Sequence, residues 1–109
     1  MNTAKVSVEL QRILDNVAAE VCRAEAKHPG GDWPDGTRNG GMWLVMREQA
    51  TNACDRATRE GRVTFAHILE EEFYEALCEE DKTALRTEII QVAAVCCRWM
   101  LKLDREVGR

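Results

Sequence analysis

Two stretches decide the fold: FAHILEEEFYEALC (65–78) and, after a short break, LRTEIIQVAAVCCRWMLKLD (85–104). On a wheel of about 100° per residue, the apolar residues of the first stretch fall on one stripe: Phe65, Ile68, Leu69, Phe73 and Ala76. Those of the second are Leu85, Ile89, Val92, Cys96, Trp99 and Leu103. Both patterns predict amphipathic helices. Thr64 is placed to cap the first and Asp81 the second. Glu72 falls inside the first stripe and Glu75 at its edge, while Glu71 lies further round towards solvent. Glu88 lies on the margin of the second stripe, with Gln91, Arg98 and Lys102 just beyond it.

Residues three apart on a helix share a face. Glu72 with Glu75, and Glu88 with Gln91, would therefore aim oxygen atoms at one point between two antiparallel helices. A carboxylate among core positions is costly unless it is compensated. Two compensators fit: a hard cation shared by Glu72, Glu75 and Glu88, or an ion pair to Arg98 or Lys102. Residues 70–81 hold seven carboxylates and no Lys or Arg. Such a run suits a cation site or a solvated helix face, and Glu70, Glu79 and Glu80 belong to the latter.

Outward from this core, Val6 to Lys27 repeats apolar residues at Leu10, Ile13, Leu14, Val17, Ala18 and Val21, predicting a helix capped by Ser7 or Thr3. Met42 to Glu60 predicts another, with a thin stripe of Met46, Ala50, Ala53 and Ala57, stopped by Gly61. Between them HPGGDWPDGTRNGG (28–41) holds both prolines and five of the seven glycines. Pro-Gly and Asp-Gly mark turns, and this loop is longer than most in a compact domain. It carries Trp33, Asp35, Thr37 and Arg38, and is either functional or mobile. The expected fold class is all-α, with four helices in one domain over the 109 residues.

The net charge of −4 argues against non-specific nucleic-acid binding. No stretch approaches the roughly 18 apolar residues of a membrane span, and no apolar run follows Lys5 as in a signal peptide. Five cysteines, an odd number without a C-x-x-C pair, fit buried reduced thiols rather than disulfides or zinc. A cytoplasmic location is expected. Ile90 and Cys97 lie off the main stripe, which suggests a second face covered by a partner chain.

The pattern Glu71-Glu72-x-x-Glu75 followed by Glu88-x-x-Gln91 resembles the E-E-x-x-E and E-x-x-D signature of MazG-like nucleoside triphosphate pyrophosphohydrolases, relatives of the all-α dUTP pyrophosphatases. The loop WPDGT and the run CDRATREGRVTFAHIL before the motif are similar to a small single-domain branch from bacteria and phages. The resemblance covers roughly residues 28–104. It implies an all-α bundle assembled as a homodimer or homotetramer, hydrolysing a (d)NTP to the monophosphate and pyrophosphate. Glu72, Glu75 and Glu88 would hold Mg²⁺ (or Mn²⁺), with Gln91 standing where the family has a ligating Asp. Glu71 would hold a second ion or act as base on the attacking water, together with Glu72 as the catalytic pair. Arg98 and Lys102 would grip phosphates or merely serve solubility. Trp33, Asp35 and Arg38 would contact the substrate, Trp33 by stacking on a base unless it anchors the loop in the core. The alternatives are a nucleotide-binding module weakened by Gln91, and a helical protein-interaction bundle without a ligand.

Overall fold

The computed structural model describes residues 6–108. Among these residues there are four α-helices and no strand: α1 (Val8–Lys27), α2 (Gly41–Arg59), α3 (Phe65–Cys78) and α4 (Lys82–Glu106). None is long and apolar enough to cross a membrane. The chain divides into two compact units. One comprises Met1–Pro34 and Cys97–Arg109, the other Asp35–Cys96.

The helix starts follow local chemistry. The Ser7 hydroxyl accepts from the Leu10 N–H at 3.1 Å, so Ser7 caps α1; Thr3 lies outside the described residues. At α3 the Thr64 hydroxyl accepts from the His67 N–H, while His67 Nδ1 accepts from the Thr64 N–H at 3.1 Å. This is a capping box with histidine in the place usually held by Glu or Gln. Asp81 Oδ2 accepts from the Ala84 N–H at 2.9 Å and opens α4. Gly61, at φ 72°, turns the chain out of α2, and the Arg62 N–H closes back on the Ala57 carbonyl at 2.8 Å.

In the unit spanning Asp35–Cys96, α2 packs against α3. Ala50, Cys54 and Ala57 are buried on α2, and Ala76 and Cys78 on α3. Small side chains allow close approach, but burying one methyl contributes only about 0.8 kcal/mol. The interface is therefore tight without being strongly hydrophobic. Cys54 takes the place the periodicity assigns to Ala53, which is exposed.

The covered arcs of α3 and of α4 up to Cys96 differ from the apolar stripes. Phe73 is 45% exposed and Ile89 53%, whereas Glu71, Glu72, Glu75 and Glu88 are half-buried. Counting about 100° per residue, the buried arc of α3 is turned by roughly 60° towards its glutamates. That of α4 is turned towards Glu88 by somewhat less. Apolar periodicity alone places Phe73 and Ile89 inside; the helices instead present their acidic edges inward.

In the other unit Ile13 of α1 is 2% exposed, while Leu14, Val17 and Val21 of the expected stripe are exposed. Among the cysteines, Cys54 and Cys78 are buried, Cys96 and Cys97 half-buried, and all five are free. Cys22 is exposed, which corrects the expectation that every thiol is covered. Burial pushes the Cys54 and Cys78 thiols up, so neither is a reactive thiolate.

Candidate functional site

Glu72 and Glu75 stand one turn apart on α3, and Glu88 lies near the second turn of α4. One carboxylate oxygen from each lies within 4.8 Å of the other two. Oxygens on opposite sides of a Mg²⁺ ion are about 4.2 Å apart, twice the usual bond length of about 2.1 Å. Neighbouring oxygens on such an ion are about 3 Å apart, so three oxygens within 4.8 Å of one another are near enough for the side chains to close on one ion.

The fit of the donor set rests on a second observation. Glu72 Oε2 and Glu88 Oε2 are shut off from solvent and accept no hydrogen bond. Among the described residues the four ion pairs are Arg23–Glu20, Arg62–Glu60, Lys82–Asp35 and Lys102–Glu106, none of which reaches the cluster. A buried anionic oxygen without donor or counterion is costly. Hard oxygen donors, converging and unpaired, match the chemistry of Mg²⁺ or Mn²⁺.

The electrostatics agree. Burial pushes the Glu75 carboxyl above the ordinary carboxylate range, and Glu72, Glu88 and Glu71 add repulsion that Arg47 offsets only in part. Glu88 is raised by burial, then by Glu72 and Glu79. Glu71 is raised by burial, then by Asp55 and Glu72. A group that holds its proton more tightly than usual is suited to taking one from water.

The remaining expected residues are placed variously. Gln91 is exposed and outside the converging set. Of the two expected ion-pair partners of Glu72, Arg98 is exposed, and Lys102 Nζ donates to Glu106 at 2.9 Å. Asp35 accepts from Lys82 Nζ at 2.8 Å. The Arg38 N–H donates to the Leu77 carbonyl at 2.9 Å, and the neighbouring Asn39 N–H donates to Glu80 Oε1 at 2.8 Å, so this end of the loop is fastened to the end of α3. Trp33 is 69% exposed and meets His28 edge-on, with ring centroids 6.0 Å apart. It is not a core anchor.

Two residues of α2 were not singled out by the sequence reading: Asp55, which acts on Glu71, and Arg47, which acts on Glu75. For Arg47 a signal existed. Its spacing to Ala50, Cys54 and Ala57 puts it on the small-residue face.

No protein-family model, curated protein or solved structure matches the chain.

Proposed function

We propose that the protein is a Mg²⁺-dependent nucleotide pyrophosphohydrolase of the MazG-like kind, cleaving a (d)NTP or related nucleotide to the monophosphate and pyrophosphate. The observation that carries this reading is the convergence of Glu72, Glu75 and Glu88 with two solvent-free oxygens that have no partner. These three residues would hold the ion, which when bound neutralises charge developing on the phosphates. Glu71 takes a proton from the attacking water. The water oxygen bonds to phosphorus, the bridge between the α and β phosphates breaks, and pyrophosphate leaves. No covalent nucleophile is required; positioning and charge neutralisation do the chemistry.

The exposed apolar residues Leu14, Val17 and Val21 of α1, and Phe73, Ile89 and Ile90, support assembly as a homodimer or homotetramer.

Screening nucleotides with Mg²⁺ and Mn²⁺ for pyrophosphate release tests the reading. Turnover abolished by Glu72→Gln or Glu75→Gln is expected; no turnover of any nucleotide by the wild type rejects it. Gln91, an amide where the resembled family has a ligating Asp and outside the converging set, favours a second reading, in which the site holds a nucleotide without cleaving it. That reading requires thermal stabilisation by nucleotide without product.

A further inference from the structure

Among the described residues no ion pair joins a Lys or Arg to the cluster. Three carboxylates around a divalent ion leave about one negative charge, and a triphosphate brings about three to four more, so close approach is repulsive unless a fixed cation helps. Arg98 and Lys102 are poor candidates, the first exposed and the second engaged by Glu106. Arg47 is different. On the α2 wheel it falls with Trp43, Ala50, Cys54 and Ala57 within an arc of about 80°. The last three are buried and Arg47 itself is half-buried.

The bonds from Arg38 to Leu77 and from Asn39 to Glu80 fasten the entry of α2 to the exit of α3, so the two packed helices run antiparallel. Arg47, six residues past Gly41, is therefore one to two turns in from that end, abreast of the stretch from Glu72 to Cys78. The charge of Arg47 is felt at Glu75 and Cys78. Yet among the described residues it closes on no carboxylate and donates no side-chain hydrogen bond. A guanidinium has five donors in a planar fork that matches phosphate oxygens. If its role were to neutralise Glu75, it would be expected to lie against it.

We propose that Arg47 grips the substrate's phosphates, its fork standing beside the acidic cluster on the α2 face that meets α3 and donating to phosphate oxygens the metal does not hold. The assignment rests on the pyrophosphohydrolase reading above.

The test uses Mg²⁺ alone and magnesium pyrophosphate as calorimetric probes of the full chain, in wild type, Arg47→Met and Arg47→Lys, beside the nucleotide screen. Losing charge-assisted bonds of this kind is expected to weaken pyrophosphate binding by about tenfold to a hundredfold in Arg47→Met. Arg47→Lys recovers part, keeping the charge but not the fork. Mg²⁺ binding is expected to hold or tighten, which a merely folding role for Arg47 would not produce. Pyrophosphate binding by Arg47→Met within about twofold of wild type overturns the assignment, as does a wild type that binds no magnesium pyrophosphate. Should Arg47→Met not fold, Arg47→Lys decides alone, with wild-type pyrophosphate affinity as the overturning result. Failure of the catalytic reading looks different: wild type binds magnesium pyrophosphate but releases none from any nucleotide.

Discussion

Glu72 on α3 and Glu88 on α4 each turn an Oε2 atom away from solvent, and neither atom accepts a hydrogen bond. Removing one charge should therefore separate stability from binding. Glu88→Gln is expected to leave the metal-free protein as stable as wild type, or more stable by about 1 kcal/mol, because an uncompensated buried charge is lost. The same substitution should abolish the rise in melting temperature caused by Mg²⁺. Thermal melts with chelator and with Mg²⁺ check both.

The raised carboxyls set a pH dependence. Glu71, Glu75 and Glu88 bind protons more tightly folded than unfolded. Stability from such groups is fully present below the ordinary carboxylate range and is lost as pH rises through their raised folded values. The metal-free protein should thus gain melting temperature as pH falls from neutral towards about 5. With Mg²⁺ the slope should flatten or reverse, because the ion and the protons compete for the same oxygens. Melts across pH with and without the ion measure the difference.

Gln91→Asp restores the charge that the family resemblance leads one to expect. Gln91 is exposed and three residues beyond Glu88, a separation of about 5–6 Å between Cβ atoms. In water, a unit negative charge at that range from a divalent ion contributes about 1.4 kcal/mol. Mg²⁺ affinity should rise about tenfold in calorimetry. A much larger gain would mean that residue 91 enters the coordination sphere.

Two substitutions test the frame beneath the site. Thr64→Ala removes one half of the capping box and should cost about 1 kcal/mol in denaturant unfolding. Ala57→Leu inserts a large side chain where the exposure is 0% in the α2–α3 contact, and should cost about 1–3 kcal/mol.

The helices, their caps at Ser7, Thr64 and Asp81, and the stop at Gly61 were legible because each rests on local chemistry. The convergence of Glu72, Glu75 and Glu88 was legible from spacing three on one helix and a margin position on the next. The rotation of α3 and α4 was not. Apolar periodicity places Phe73 and Ile89 inside, and a wheel cannot show that thin, small-residue packing along α2 lets the acidic edges turn inward. The spacing of Arg47 to Ala50, Cys54 and Ala57 puts it on the small-residue face of α2, but what that face meets is a tertiary fact. On α1 the apolar stripe is only partly covered: Ile13 is buried, whereas Leu14, Val17 and Val21 are exposed.

The most direct measurement is Mn²⁺ binding to chelator-stripped protein, followed by electron paramagnetic resonance in wild type, Glu72→Gln, Glu75→Gln and Glu88→Gln. Saturable binding by the wild type, weakened about tenfold or more in every variant, is the expected result. Wild-type binding that is absent, or equally strong in all three variants, would contradict a metal centre built from these carboxylates.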